Sequence, residues 1–545
     1  MERAFANLNK IFVACCNTFS KIRIKPAFSY VTDHFYIIYY IFSFILVFHY
    51  REINNTSFEL SMSSNKNNTI IHQQIKVVPP SSTQTTTSTI PLTFLDIVWL
   101  RFHPNERIYF YALHDSHSHP SFFFQHIVPN LKSSLSLTLQ HFLPLAGKIV
   151  WPSDSSKPFM QFNPNDNDNG VSLLIAESDA DFQHVIGNSP HEASLSRSFI
   201  PNLESSHLCA SVISIQITLF PSSGFSIGIT THHAVFDGKS LSMFVKAWAY
   251  LSKKNIETGE SPPLLPELEP LFNRDIIKGT TENNSIEILS KLFPAENGNE
   301  RSLKIFPSEP KLEESVRATF KLTREDLDKI KQKVLSKWEI MDTNESKPKT
   351  LSSFILTCAY SFVCIAKAIH EVEKEKEKFA LAFAVDCRAR LELPIPDNYF
   401  GNCVPGYFID TNPLDFIKED GVFLVAKCIF EKIKMIKEKG VLEENMVDVF
   451  HKYGSLFKEG FVTFGVAGSN RFGVYENDFG YGRPEKVEIV SIDKGLSIGF
   501  GDSKDGNGGV EIGLVLKKHV MDLFSTLFLE GICGNSKLFH QYSKE

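Results

Sequence analysis

The sequence predicts a two-domain α/β protein, and three observations support this class. The chain has 545 residues, which is more than one compact core normally holds. Segments of alternating apolar and polar residues, typical of strands, recur between segments with apolar residues at helical spacing. A stretch with four prolines, residues 261–270, interrupts both patterns near the middle of the chain. We therefore expect one domain on either side of a crossover at residues 255–312.

The bulk composition is that of a soluble globular protein. Hydrophobic residues make up 43% and charged residues 22% of the chain. A net charge of -6 argues against a general nucleic-acid binder, which needs a basic face. The nine cysteines are scattered without a CxxC spacing, so they predict neither a zinc site nor a disulfide framework. We expect a monomer in the cytoplasm.

Residues 1–61 differ from the rest of the chain. Residues 35–50 are almost wholly apolar and follow basic residues at Lys21, Arg23 and Lys25. This segment is shorter than the roughly 20 residues that a membrane-spanning helix needs. Met62 opens a sequence typical of a soluble protein. We favour an extension or a gene-model artefact, and the alternative is a membrane anchor at residues 35–50.

The predicted N-terminal domain, residues 62–254, contains both strands and helices. Residues 121–142 have apolar side chains at helical spacing, and residues 211–230 alternate around a turn, which predicts a β-hairpin. Helical spacing resumes at residues 240–251. Residues 154–169 are predicted to be a loop and residues 182–201 to be irregular. Further strands are predicted at residues 70–78, 107–113 and 171–176 and directly after Gly147.

The segment TTHHAVFDG, residues 230–238, joins the hairpin to the helix. Such a junction can hold a reactive side chain on a rigid scaffold, and a neutral imidazole there can take a proton from a hydroxyl near pH 7. Gly238 permits a tight backbone turn. The alternative is a structural histidine pair with Asp237 as a turn residue. The local pattern leaves both interpretations open.

Two other patterns are weak. His114, His117 and His119 lie in a Ser/Asp/Pro-rich segment without further ligands, which predicts a solvated loop rather than a metal site. The glycine cluster at residues 505–509 lacks a Lys-Ser/Thr partner and a following helix, so it does not predict a phosphate loop. We expect no metal and no permanently bound cofactor.

The predicted C-terminal domain, residues 313–545, repeats the mixture of strands and helices. Residues 351–368 are largely apolar and predict a helix buried on most faces. Residues 485–492 and 509–516 are predicted to pair as antiparallel strands around the turn at residues 505–509. Further strands are predicted at residues 315–322, 379–386 and 461–467, and further helices at residues 323–336 and 421–440.

Four segments in this order carry a family resemblance. They are HAVFDG from His233, DCRAR from Asp386, NYFGNC from Asn398 and DFGYG from Asp478. Together they resemble the BAHD family of plant acyl-CoA-dependent acyltransferases, with its HxxxD and DFGWG signatures. The resemblance extends from about Met62 to near the C-terminus, and the flanking residues look like the anthocyanin and flavonoid glucoside malonyltransferase branch. Tyr481 stands where the family has tryptophan, which affects local packing.

The resemblance implies two similar chloramphenicol-acetyltransferase-like domains, each a mixed sheet flanked by helices, with a solvent channel at their interface. It implies that His233 is the general base in that channel. Because neighbouring side chains of a strand point in opposite directions, His232 is expected to pack or hydrogen-bond elsewhere. Asp478 would belong to a structural motif away from the catalytic histidine.

Asp237 has two candidate roles. Its spacing from His233 would let it orient the imidazole, but in the family the equivalent aspartate points away and pairs with an arginine. Arg388 or Arg390 would be that partner, and we favour Arg388. The expected reaction transfers a malonyl group from malonyl-CoA, as co-substrate, to a glycosylated phenolic acceptor. A buried malonyl carboxylate needs a cation, and the candidates are Lys239, Arg388 and Arg471.

Three rival functions remain. An aromatic (hydroxycinnamoyl) acyltransferase of the same family would use an apolar acyl pocket, which the 47 phenylalanines also allow. A peptide-synthetase condensation domain shares the HHxxxDG pattern, but it is expected beside a carrier-protein module and lacks DFGYG. A non-catalytic membrane-tethered binding protein would combine residues 35–50 with a retained fold.

Overall fold

A computed structural model describes most of the chain after residue 67. The described residues are 68–81, 87–113, 119–259, 262–277, 282–293, 301–306, 312–341, 348–409, 413–442 and 446–533. The apolar segment at residues 35–50 lies outside them, as do His114 and His117. The membrane anchor, the cytoplasmic location and the start near Met62 therefore stay predictions.

The first sheet has six strands in the order β1-β6-β9-β10-β3-β15. It is mixed, because β6 and β9 run parallel and the other neighbours run antiparallel. The predicted hairpin is present as β9 and β10, and every residue of both strands is buried. The strands are β1 (Thr69–Val77), β3 (Asn105–Ala112), β6 (Val171–Ser178), β9 (Ile213–Phe220), β10 (Gly224–Thr231) and β15 (Lys486–Ile489).

The second sheet has seven strands in the order β13-β12-β14-β16-β17-β11-β7. A third, four-stranded sheet has the order β2-β5-β4-β8. The second sheet contains β7 (His191–Glu192), β11 (Ser315–Leu322), β12 (Phe379–Ala384), β13 (Gly406–Phe408), β14 (Val462–Gly468), β16 (Ser497–Asp502) and β17 (Val510–Lys517). The third contains β2 (Ser88–Pro91), β4 (Lys148–Val150), β5 (Phe159–Phe162) and β8 (Cys209–Ser211).

Helices flank the sheets. The helix predicted for residues 121–142 begins with one turn of α-helix and one of π-helix before its regular part. The longer helical elements are α1 (Phe94–Ile97), α2 (Val128–His141), α3 (Phe182–Ile186), α4 (Ala193–Arg197), α5 (Gly238–Thr258), α6 (Glu282–Leu292), α7 (Arg324–Met341), α8 (Ser353–Val372), α9 (Gly421–Lys439), α10 (Met446–Lys458) and α11 (Lys518–Cys533).

Two large apolar cores stabilise the two halves. One lies around α2, α5 and the first sheet, and the other lies around α8, α9, α11 and the second sheet. Helix α8 is long and apolar enough to cross a membrane by length and composition, but most of it is buried inside this second core. The predicted apolar helix is therefore confirmed as a core element. The predicted domain boundaries at residues 254 and 313 stay predictions.

Each half contributes a strand to the sheet of the other. Strand β7 pairs with β11, and β15 pairs with β3. The predicted pairing of residues 485–492 with 509–516 is therefore wrong, because β17 pairs instead with β16 and β11. Glycine is unfavourable in strands, and the glycines of β16 hid this strand in the sequence pattern. The pattern therefore did not identify β16 as the neighbour of β17. The exchange ties the two sheets together across the interface.

Two segments are more ordered than predicted. Residues 182–201 contain α3, β7 and α4 rather than irregular chain. Asp181 caps α3, since its carboxylate accepts from the backbone N–H groups of Gln183 and His184. The predicted loop at residues 154–169 contains β5, which pairs with β2 and β4. Both elements are short, which is why no period was visible in the sequence.

Candidate active site

The HHAVFDG segment lies at the end of a central strand. Strand β10 ends at Thr231, residues 233–235 form a turn, and α5 begins at Gly238. Asp237 is the N-cap of α5, because its Oδ1 accepts from the backbone N–H of Ser240 at 2.8 Å. Such a cap stabilises a helix by about 1 kcal/mol. The turn is thus held between a buried strand and a capped helix.

The structure constrains Gly238 in a different way from the one predicted. Its φ does not lie in the left-handed region, so the backbone turn itself tolerates other residues. A Cβ at this position would lie 2.9 Å from the ring of Phe472. A larger residue at position 238 would therefore have to displace the ring of Phe472, which comes from the C-terminal half.

The imidazole of His233 is held between aromatic rings. It stacks on the indole of Trp99 with 4.1 Å between centroids and 11° between planes, and Phe102 meets it edge-on at 5.7 Å. Its Nδ1 is buried without a hydrogen-bond partner, whereas the residue as a whole is half-buried. Nε2 is therefore the nitrogen available to a substrate.

The environment keeps His233 neutral. Burial lowers the pKa of His233 to about 4, with a further contribution from the nearby His103. The pKa of His103 is itself lowered to about 4 by burial. At neutral pH the His233 ring therefore carries a free lone pair and no charge, which is the form that a general base requires.

His232 has a structural role. It is fully buried, and its Nδ1 accepts from the backbone N–H of Ala234 at 3.2 Å. Its backbone N–H donates to the carbonyl of Val212 at 2.9 Å. Burial lowers the pKa of His232 to about 3. The prediction that His232 packs or forms hydrogen bonds is confirmed.

Asp237 pairs with Arg388, as predicted from the resemblance. Its Oδ2 lies 2.8 Å from Nη2 of Arg388, and both side chains have no exposed surface. The same oxygen accepts from the backbone N–H of Cys403 at 3.2 Å. Burial disfavours a charged guanidinium, but Asp237 and Asp386 outweigh this penalty and raise the pKa of Arg388. Asp237 therefore fixes the start of α5 to the C-terminal half, and neither of its oxygens bonds to the His233 ring.

Asn402 is a site residue that sequence reasoning missed. Its Nδ2 donates to the carbonyl of His233 at 2.8 Å, and its backbone N–H donates to Oδ1 of Asp96 at 2.9 Å. Asp96 in turn closes a capping box with Thr93 at the start of α1, which precedes Trp99. Asn402 lies in the NYFGNC segment, which was recognised without a role. Asn402 therefore links the turn that carries His233 to helix α1, which precedes Trp99.

The three candidate cations lie in different environments. Lys239 forms ion pairs with Asp397 at 2.8 Å and Asp386 at 3.6 Å and is about a third exposed. Arg388 is fully buried and donates to Asp237, to Asp386 and to the carbonyls of Tyr399 and Gly401. Arg471 is exposed on the loop that follows β14. The hydrogen-bond donors of Arg388 are therefore engaged by groups of the protein itself.

The DFGYG segment holds a turn against the later part of α5. Oδ1 of Asp478 accepts from the backbone N–H groups of Gly480 and Gly482, both of which have positive φ. Its Oδ2 accepts from Lys253 of α5 at 2.8 Å. Burial opposes ionisation of Asp478, but Lys253 and the Gly480 N–H outweigh it and lower the pKa. Asp478 contacts neither His233 nor Asp237.

No group of three or more His, Cys, Asp or Glu side chains suited to a metal ion occurs in the described part of the chain. His119, the described member of the predicted solvated loop, caps a helical turn by accepting from the backbone N–H of Ser121 at 3.2 Å. The described site presents a neutral imidazole, that of His233, beside the rings of Trp99 and Phe102.

Known proteins resemble this chain over most of its length. A model of the Transferase family matches residues 69–529. Phenolic glucoside malonyltransferase 1 from Arabidopsis thaliana is 39% identical over 467 residues, covering 84% of this chain and 96% of that protein. Malonyl-CoA:anthocyanidin 5-O-glucoside-6''-O-malonyltransferase from the same plant is 37% identical over 467 residues, covering 85% and 98%.

Solved structures share the architecture. The crystal structure of vinorine synthase aligns with a TM-score of 0.59 at 20% identity, covering 85% of this chain and 98% of that one. Both the open mixed sheets and their flanking helices are as predicted from the resemblance. The predicted fold class is therefore confirmed.

Proposed function

The chain belongs to the Transferase family, the BAHD acyl-CoA-dependent acyltransferases, and from this premise we propose that it transfers a malonyl group from malonyl-CoA to a hydroxyl of a phenolic or flavonoid glucoside. His233 is the general base of this proposal. The choice of donor and acceptor is supported by the two Arabidopsis relatives, whose names specify malonyl transfer to phenolic and anthocyanidin glucosides.

The reaction needs one proton to move twice. The acceptor hydroxyl attacks the thioester carbonyl carbon while Nε2 of His233 takes its proton, which forms a C–O bond and a tetrahedral oxyanion. The oxyanion collapses, the C–S bond breaks, and the imidazolium returns the proton to the CoA thiolate. The products are the malonyl ester and free CoA. General base catalysis of this kind contributes about 10²–10⁴ in rate.

One observation carries the proposal: a neutral imidazole, stacked on Trp99, with its Nδ1 buried and the residue half-buried. The stacking fixes the plane of the ring, so the lone pair on Nε2 has a defined direction before the acceptor binds. Such positioning of a catalytic group lowers the entropy cost of reaching the transition state.

The Asp237–Arg388 pair supports this geometry from outside the reaction. The pair fixes the α5 end of the turn that presents His233, because Asp237 caps α5 and also accepts from the backbone N–H of Cys403. A Ser-His-Asp triad would require the carboxylate to bond the imidazole, and here the carboxylate is engaged by Arg388, Ser240 and Cys403. We therefore assign the base role to His233 without help from Asp237.

The direct test measures acyl transfer by the full chain. The purified protein is incubated with malonyl-, acetyl- or coumaroyl-CoA and a panel of phenolic and flavonoid glucosides. Free thiol release gives the rate, and mass spectrometry identifies the ester. We expect malonyl esters of at least one glucoside, and a fall of at least about 100-fold for His233→Ala.

The matched control is His126→Ala, which removes an exposed histidine outside the site. It should keep the wild-type rate. Transfer of coumaroyl in preference to malonyl groups would favour the aromatic branch of the family. Equal activity of wild type and His233→Ala would contradict the role of His233.

A further inference from the structure

A cavity between the two sheets contains a buried arginine, Arg107, that forms no ion pair with a carboxylate of the described residues. The cavity lies between β3 and β15 on one side and β11, β16 and β17 on the other. Its lining includes Arg107, Arg317, Tyr475, Glu488 and Glu511. The two acids have other partners. Oε2 of Glu488 accepts from Ser196 at 2.8 Å and lies 3.8 Å from Nε of Arg317, and Oε2 of Glu511 accepts from the Tyr475 hydroxyl at 2.6 Å.

Arg107 differs from the other buried arginines of the described chain. Arg274 lies 3.6 Å from Asp96, Arg317 lies 3.4 Å from Asp493, and Arg388 lies 2.8 Å from Asp237. Arg107 is 5% exposed and forms no ion pair with a carboxylate of the described residues. Its contacts are neutral oxygens, of Ser242 at 3.2 Å and of Tyr109 at 3.4 Å, and its Nε has no partner.

An unpaired guanidinium in the interior is costly. An arginine cannot lose its charge in a protein, and a buried charge without a counterion is strongly unfavourable. The fold keeps Arg107 in this state although acids line the same cavity. A site that retains such a charge is suited to an anionic ligand that brings the missing carboxylate.

Arg107 is connected to the catalytic turn. Its Nη1 donates to the hydroxyl of Ser242, which in turn donates to the carbonyl of Gly238 at 2.8 Å. Gly238 follows the HHAVFD turn directly and is the residue that Phe472 approaches. The ring of Phe472 also lies 5.9 Å from the Arg107 guanidinium. The Arg107 guanidinium therefore lies beside the first turn of α5, the turn that directly follows the HHAVFD segment.

We propose that Arg107 binds the free carboxylate of the malonyl group and so selects a dicarboxylic acyl donor. This inference rests on the proposed function. The planar guanidinium can hold a carboxylate with two parallel hydrogen bonds, a geometry that a lysine does not provide. In the proposed complex the malonyl carboxylate replaces the missing counterion of Arg107. An acetyl group, which lacks the carboxylate, leaves the guanidinium unpaired.

The phosphates of CoA are the other anions of the donor. They lie at the far end of the pantetheine arm from the thioester, whereas Arg107 is buried next to the turn that carries the base. The carboxylate is therefore the better match. The two sources differ in an experiment, because acetyl-CoA and free CoA keep every phosphate and lack the malonyl carboxylate.

The test compares donors in wild type, Arg107→Gln and Arg107→Lys. We expect Arg107→Gln to lower kcat/KM for malonyl-CoA by about 100-fold and to change that for acetyl-CoA by less than about threefold. Arg107→Lys should recover part of the loss. Calorimetry should find that wild type binds malonyl-CoA more tightly than free CoA, and that Arg107→Gln binds the two equally. The exposed Arg324→Gln on α7 is the control.

Two outcomes would overturn the inference. An equal loss for malonyl-CoA, acetyl-CoA and free CoA would assign Arg107 to the phosphates or to the fold, and no loss at all would leave it without a role in donor binding. The proposed function fails separately, if wild type transfers no acyl group from any donor. In that case the binding measurement with malonyl-CoA and CoA still decides the role of Arg107.

Discussion

The two ends of helix α5 carry similar aspartate-cation pairs in very different surroundings. At the N-terminus, Asp237 and Arg388 have no exposed surface. Further along the helix, Lys253 meets Asp478 with side chains 43% and 22% exposed. Each aspartate also accepts backbone N–H groups, and neither touches the His233 ring. The family signatures at both ends therefore act on the shape of the site, and burial decides how strongly.

Substitutions at the buried N-terminal end of α5 should cause the largest loss of stability. Replacing Arg388 by methionine leaves Asp237 and Asp386 without their shared cation, which destabilises a buried pair by about 3–5 kcal/mol. Denaturant unfolding measures this loss. Asp237→Asn should cost less than Asp237→Ala by about 1 kcal/mol, because asparagine retains the cap of α5.

Lys239→Met is the matched control at the same helix end. Its partner Asp397 is 84% exposed, so its loss should cost under about 1 kcal/mol. The residual activity of folded Asp237→Asn should keep the wild-type pH profile. A shift in that profile would mean that Asp237 acts through the imidazole after all.

The two ends of α5 should also differ in how their contribution to stability depends on pH. His232 is fully buried and its pKa is lowered to about 3, mainly by burial. In the unfolded chain His232 binds a proton below about pH 6.5, whereas in the folded chain it stays neutral down to about pH 3. The free energy of unfolding therefore falls as the pH decreases from 6.5 towards 4. The slope is about 1.4 kcal/mol per pH unit for each such histidine.

Unfolding by urea at several pH values measures this slope. His232→Gln should reduce the slope by one proton, whatever the variant costs in absolute stability. The carboxylate of Asp478, at the other end of α5, affects stability only at lower pH. Because the pKa of Asp478 is lowered, its contribution is present above pH 4 and is lost as the pH falls through its folded pKa. An unaltered slope in His232→Gln would contradict a neutral, buried His232.

The local features around α5 could be predicted from the sequence. The hairpin, the turn and α5 follow from alternation and helical spacing within a short window. The Asp237–Arg388 pair followed from the resemblance, because both residues stand in recognisable segments. The exchange of β7 and β15 could not be predicted, since strands distant in the chain compete for one edge and their short patterns favour none.

Arg107 was missed for a physical reason. In the segment RIYFYAL it occupies an alternating position of a strand, where a charged side chain ordinarily faces water. Its burial depends on β15 from the other half and on the fold of α5. Asn402 was likewise visible within a recognised segment, but its bond to the His233 carbonyl exists only once the two halves meet.

The DFGYG end should tolerate change better. Asp478→Asn keeps an acceptor for the Gly480 and Gly482 N–H groups and loses the charge that attracts Lys253. We expect a loss of about 1 kcal/mol in stability, in the range of a hydrogen bond to a charged group at a partly exposed site. Activity should fall through a higher KM for the acyl donor, and the pH profile of kcat should stay that of the wild type. An altered pH profile would mean that Asp478 takes part in proton transfer.

The smallest expected effect isolates the ion pair from the turn. Lys253→Met removes the cation but leaves both backbone N–H bonds to Asp478, and Lys253 is nearly half exposed. A surface pair of this kind contributes under about 0.5 kcal/mol and is screened by salt. If Lys253→Met nevertheless destabilises the protein as much as Asp478→Asn, the ion pair rather than the glycine turn holds this end of α5. Equal stability of Lys253→Met and wild type at high salt, together with a clear loss in Asp478→Asn, would assign the stabilisation to the turn and leave burial as the difference between the two ends.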